Sequence, residues 1–142
     1  MNATIESAGK VASRVRLGNH ELRFDQPVTV RGGEDRGPSP LDVLVASVAA
    51  CAHYFGAAYL TARGIDPSAL AVEVEADKER VPTARIGRLA LKVRVPSGLD
   101  EAHLIGLMRA IKTCPAYGTL VHPPKIELTV EVPSADNARA AT

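Results

Sequence analysis

Residues 37–62 read GPSPLDVLVASVAACAHYFGAAYLTA, and this stretch decides the fold. Ser39 is suited to cap a helix N-terminus, Pro40 to occupy the first helical position, and Asp42 to face the positive end of the helix dipole. Gly64 is suited to end the helix. The pattern predicts a helix from about residue 40 to residue 62, buried on most sides in a protein core.

A membrane span is the alternative interpretation of this helix. Residues 43–62 carry no charge, and about twenty apolar residues can cross a bilayer. The stretch nevertheless contains Ser47, His53 and two tyrosines, and it is rich in alanine. Strand-like segments flank it on both sides. We therefore expect a core helix and no membrane partner.

The flanking segments alternate apolar and polar residues, which predicts half-buried strands. Strands are expected at 10–17 and 21–25 around a turn at Gly18, at 70–79, 85–95 and 125–132, and as a short piece at 28–30. Hairpins dominate this order. The fold class is therefore α+β with an antiparallel sheet.

A second helix is expected to begin at Asp100. It carries one apolar stripe, formed by Leu104, Leu107, Met108 and Ile111. Pro115 disfavours helix at the residue before it, so the helix is expected to end near Cys114. We expect a turn at 116–121 and a flexible tail at 133–142.

Length and charge limit the possible partners. The 142 residues fit a single domain, with its core at about 10–132. Lys and Arg number 17 against 16 Asp and Glu, and aromatic residues make up 4%. So balanced a charge favours neither a nucleic-acid nor a membrane partner. The N-terminus shows no signal peptide, so we expect a cytoplasmic protein, in which a structural disulfide is unusual.

Two cysteines carry the candidate chemistry. Cys51 lies in the middle of the first helix and Cys114 at the end of the second, 63 residues later. Thiols in this compartment serve as inert core, as metal ligands or in redox chemistry. A zinc site with His53 and His122 is disfavoured, because His53 lies about 200° around the helix from Cys51. We expect no metal.

Two segments resemble the OsmC/Ohr family. Residues 37–51 resemble its first-cysteine helix, and residues 112–120, KTCPAYGTL, resemble its second-cysteine motif. The resemblance covers about residues 10–132. It implies an OsmC-like fold, assembled as an intertwined homodimer in which the first-cysteine helices are buried at the centre. The two active sites of the family lie at the dimer interface.

The resemblance also implies an activity, because many members are thiol peroxidases that reduce organic hydroperoxides. By that likeness Cys51 is the peroxidatic thiol and Cys114 the resolving thiol that forms a disulfide with it. An external dithiol, such as a lipoylated protein, then resets the pair, and no bound cofactor is implied.

The residues that would ionise Cys51 depart from the family pattern. Relatives use an arginine from an early strand or loop, held by a carboxylate near the start of the first-cysteine helix. Asp42 is the candidate carboxylate, with Leu41 at the position where classical peroxidases carry glutamate. Arg16 is the first candidate for the arginine and Arg14 the second.

These departures leave two other functions open. One is a non-catalytic OsmC-like protein that binds a small hydrophobic ligand at the dimer interface. The other is an ordinary dimer with two buried cysteines.

Overall fold

The mixed α+β architecture predicted from the sequence is confirmed. A computed structural model describes residues 2–132. The strands are β1 (Thr4–Ser7), β2 (Ser13–Leu17), β3 (His20–Phe24), β4 (Ala71–Glu79) and β5 (Arg85–Arg94). The helices are α1 (Pro40–Thr61), α2 (Glu101–Lys112) and α3 (Pro115–Val121), with a 3-10 turn at Pro67–Ala69. Strands β1–β3 form one antiparallel sheet and β4–β5 another.

The first sheet differs from its prediction at both ends. β1 was missed, and β2 begins three residues later than expected. A turn at Gly9 and Lys10, both with positive φ, joins the two strands, and the Ala12 amide donates to the Gly9 carbonyl at 2.8 Å. The strand expected at 28–30 is wrong, because this segment turns, with the Val30 amide donating to the Pro27 carbonyl.

Helix α1 begins and ends as the sequence predicts. The Ser39 hydroxyl accepts from the Asp42 amide at 3.2 Å, and Pro40 is the first helical residue. At the other end Gly64 has a φ of +69°, and the Ile65 amide donates to the Leu60 carbonyl. This 6→1 hydrogen bond is the Schellman arrangement, which glycine permits.

The burial expected for α1 is wrong for the single chain. The buried positions form one face: Val48, Ala49, Ala52, Gly56 and Leu60. Tyr54, which is 67% exposed, lies on the open side. By length and composition α1 could cross a membrane, yet its buried face packs against α2, α3 and β4. The described part of one chain covers one face of this apolar helix.

The core lies where α1, α2 and the β4–β5 sheet meet. Leu60, Leu70 and Leu107 are its buried centre, with Val93, Val95 and Ile111 packed around them. Gly56 lets the elements approach closely, since a Cβ there would lie 3.1 Å from Leu70 Cδ2. This packing fixes the C-terminal half of α1 against α2.

The chain after α2 departs from prediction twice. Residues 116–121 belong to helix α3 rather than to a turn, because Pro115 occupies its first position, where a missing N–H costs nothing. The strand expected at 125–132 is wrong for the described chain, because these residues have no regular secondary structure and pair with no strand among residues 2–132. Ile126, Leu128, Val130 and Val132 are each between 82% and 88% exposed. The expected tail, 133–142, lies outside the described residues.

Candidate active site

The two cysteines meet. Cys51, at the middle of α1, is joined by a disulfide to Cys114, the residue that caps the N-terminus of α3. Their Cα atoms are 6.0 Å apart, although 63 residues separate them in the chain. Disulfides typically span about 4.4–6.8 Å between Cα atoms. The fold therefore supplies a redox-capable pair.

The junction between α2 and α3 holds Cys114 in place. Its amide donates to the Ile111 carbonyl at 3.1 Å, and its carbonyl accepts from the Gly118 amide at 2.9 Å. Pro115 then starts α3, which packs on α1. Cys114 is only 1% exposed, whereas Cys51 is partly exposed. The two residues thus differ in their exposure to solvent.

Asp42 is placed at the start of α1, away from the cysteines. The Ser39 hydroxyl donates to Asp42 Oδ2 at 2.6 Å, and Lys78 Nζ lies 4.0 Å from Asp42 Oδ1. Nine helical residues put Asp42 about 13.5 Å along the axis from Cys51 and about half a turn around it. Within one chain, α1 keeps this carboxylate apart from Cys51.

Arg14 and Arg16 lie on β2 and are both exposed. Arg14 Nε is 3.5 Å from Glu21 Oε1, and Arg16 stands opposite Thr4 on one side and Glu21 on the other. α1 packs against α2, α3 and β4, and β2 forms no comparable interface with it in the described chain. The roles given to Asp42, Arg14 and Arg16 stay predictions.

Sequence reasoning missed the carboxylate that organises the loop before α1. Asp25 is 1% exposed and accepts from the amides of Gln26 at 2.7 Å and Arg36 at 3.1 Å. Burial raises the pKa of Asp25, but backbone hydrogen bonds, Arg36 first, outweigh it and the pKa is lowered. No pattern around Asp25 marks it as buried, because its partners are backbone groups.

A second carboxylate lies on the same loop. Glu34 contacts Lys10 Nζ at 2.6 Å and Arg36 at 2.9 Å. The hydrogen bond from Lys10 is the main cause that lowers the pKa of Glu34. Asp25 and Glu34 together hold residues 34–36 against the end of the first sheet, so the chain enters α1 from a fixed position.

Residues of β5, α2 and α3 line an apolar groove with a volume of about 520 Å³. It lies between β5 and α2, and its lining includes Leu91, Val93, Leu104, Met108 and Tyr117. Leu104 and Met108 belong to the predicted stripe of α2 but remain exposed, so half of that stripe is unpacked. Within residues 2–132, no three His, Cys, Asp or Glu side chains are grouped to hold a metal ion.

Comparisons with known proteins agree with this architecture. The chain superposes on an OsmC-like protein from Mycoplasma pneumoniae with a TM-score of 0.73 at 20% identity, covering 86% of this chain and 87% of that one. A protein from Psychrobacter arcticus, named for an osmotic stress and detoxification response, gives 0.73 at 21%, covering 84% and 87%. An organic hydroperoxide resistance protein from Legionella pneumophila gives 0.64 at 19%, covering 84% and 87%. At such identities these likenesses establish the fold alone.

No curated protein matches the sequence. The profile described as OsmC-like protein, however, matches residues 32–129, which is more than half of the chain and includes both cysteines. With the fold shared and the profile matched over this length, the chain belongs to the OsmC-like family.

Proposed function

We propose that this protein is a thiol peroxidase that reduces organic hydroperoxides. The observation that carries the proposal is the meeting of Cys51 and Cys114, with Cα atoms 6.0 Å apart, inside the range that the OsmC-like profile matches. The printed name of the Legionella pneumophila relative, an organic hydroperoxide resistance protein, supports the choice of substrate.

The proposed cycle has three steps. The Cys51 thiolate attacks the O–O bond of the hydroperoxide, becomes a sulfenic acid and, with one proton, releases the alcohol. The Cys114 thiol condenses with that sulfenic acid, forming the disulfide and releasing water. A dithiol, such as a dihydrolipoyl group, reduces the disulfide and is itself oxidised to a cyclic disulfide. This cycle needs reducing surroundings, so we place the protein in the cytoplasm.

We further propose that the working unit is an intertwined homodimer. The described residues of one chain leave three apolar features uncovered. These are the open side of α1, the unpaired segment 125–132 and the groove beside α2. The spacing along α1 also keeps Asp42 from Cys51 of the same chain. In a dimer, Asp42 and an arginine of β2 would act on the partner's cysteine.

Ligand binding without catalysis is the second candidate function. The groove between β5 and α2 favours it, because apolar concave surfaces of this size accept small hydrophobic ligands. Copurification of a hydrophobic molecule with a protein whose thiols ignore peroxide would select this alternative.

A turnover assay tests the peroxidase. Consumption of cumene hydroperoxide with dithiothreitol is measured for the wild type, Cys51→Ser and Cys114→Ser, with His53→Ala as an exposed control on the same helix. We expect Cys51→Ser to abolish turnover, Cys114→Ser to lose most of it and His53→Ala to retain it. Turnover that survives Cys51→Ser would contradict the proposal.

A further inference from the structure

We propose that the reducing dithiol attacks the sulfur of Cys51 and that Cys114 is the leaving thiol. Every mixed disulfide with the reductant then forms on Cys51, in α1, and none forms on Cys114. The inference rests on the proposed function, because it assigns the step that resets the proposed cycle.

The burial of Cys114 is the first argument. Its side chain is 1% exposed in a single chain, enclosed at the junction of α2 and α3 where α3 packs on α1. A second copy of the chain can only add to this burial. Thiol–disulfide exchange requires the attacking sulfur to approach along the S–S axis, so a covered sulfur is a poor target.

Cys51, in contrast, has to be accessible to other molecules. It is partly exposed on α1, and under the proposed function a hydroperoxide has to reach its sulfur in the working assembly. The route that admits the peroxide to Cys51 also admits a thiol. No corresponding route to Cys114 is required by the cycle, since Cys114 reacts only with Cys51.

The exchange balances in two steps. The first thiolate of the reductant attacks the Cys51 sulfur, forming a reductant–Cys51 disulfide, and the S–S bond breaks to release Cys114 as a thiolate that takes up a proton. The second thiolate of the reductant then attacks the reductant's own sulfur in that bond. This step closes the cyclic disulfide of the reductant and releases the Cys51 thiolate for the next peroxide.

Trapping with a monothiol tests the direction. The full chain is oxidised with diamide, which makes the disulfide without any peroxidase activity, and is then treated briefly with 2-mercaptoethanol. Acid quenching, alkylation with N-ethylmaleimide and peptide mass spectrometry show which cysteine carries the mercaptoethanol. We expect it on Cys51, with N-ethylmaleimide on Cys114, in about tenfold excess over the reverse pattern. An equal distribution, or an excess on Cys114, would overturn the inference.

Single-thiol variants give an independent measurement. Reaction with 5,5′-dithiobis(2-nitrobenzoate) is followed for Cys114→Ser, which keeps Cys51, and for Cys51→Ser, which keeps Cys114. We expect Cys51 to react about ten times faster than Cys114, and the two rates to converge in denaturant. Equal rates in the native protein would count against the inference. Because neither experiment uses a peroxide, their outcome is separate from that of the turnover assay.

Discussion

Asp25 shows how a single buried residue can organise the approach to the site. Its carboxylate accepts hydrogen bonds from the amides of Gln26 and Arg36, and its own amide donates to the Pro38 carbonyl. These bonds join the end of β3 to the residues just before α1. The cysteines and the helix caps could be identified from the sequence because they occur in patterns. Asp25 could not, since its partners are backbone groups brought together by the fold.

Asp25→Asn should therefore destabilise the chain, because an amide nitrogen cannot accept a hydrogen bond from a backbone N–H. The matched control is Asp35→Asn, at an exposed neighbour with a φ of +54°, a conformation that asparagine tolerates. Urea unfolding followed by circular dichroism should show a lower midpoint for Asp25→Asn alone. Equal midpoints for the two variants would show that the Asp25 contacts contribute no net stability.

The same residue predicts a pH dependence. The folded pKa of Asp25 is lowered, so its carboxylate contributes stability above the ordinary aspartate value of about 3.9. That contribution is lost as the pH falls through the folded pKa. Wild type and Asp25→Asn should thus converge in stability in acid, when urea midpoints are measured from pH 7 to pH 3. A constant difference over this range would contradict the assignment.

At the scale of elements, α1 was the most predictable part of the chain and α3 the least. Each end of α1 has a residue that favours a helix end through local interactions. Ser39 caps the N-terminus, and Gly64 adopts the positive φ that ends the helix. The sequence predicts a turn in place of α3, because Pro115 is suited both to end the preceding helix and to start the next one. Thr4–Ser7 was missed because this strand is short and exposed throughout.

The cap of α1 provides a test at this scale. Ser39→Ala removes the hydroxyl that accepts from the Asp42 amide and should cost about 0.5–2 kcal/mol in the free energy of unfolding. Ser47→Ala is the control, since Ser47 is exposed on the same helix and only donates to the Leu44 carbonyl. It should change stability by no more than about 0.5 kcal/mol. A Ser39→Ala effect as small as that of the control would contradict the assigned cap.

At the scale of the whole molecule, the sequence predicts a strand and a buried helix that the described chain forms only in part. Alternation at 125–132 predicts a strand, yet the segment has no regular secondary structure and no strand of the described chain pairs with it. Likewise α1 has the composition of a buried helix, but residues 2–132 of one chain cover only one of its faces. Both differences have the same physical reason if the missing neighbours belong to a second copy. The sequence pattern of one chain predicts that a segment is paired or buried, but it does not identify the chain that supplies the neighbouring residues.

Substitutions in segment 125–132 test the proposed dimer. Leu128→Glu places a charge on the apolar side of the segment and should weaken association strongly, because burial of a leucine contributes about 1.5–3 kcal/mol. Thr129→Glu, on the polar side of the same segment, should leave association nearly unchanged. Analytical ultracentrifugation of both variants and the wild type measures this. A monomeric wild type, or equal weakening by the two variants, would refute the proposed use of the segment.

The proposed peroxide-driven redox pair of Cys51 and Cys114 is tested most directly by the mass of the reduced protein, measured before and after one equivalent of cumene hydroperoxide. Peptide mapping locates any bond that forms, and hydrogen peroxide is run beside it. We predict a loss of about 2 Da per chain, mapped to a Cys51–Cys114 disulfide and faster with the organic peroxide. Two thiols left unmodified by the organic peroxide would contradict the account.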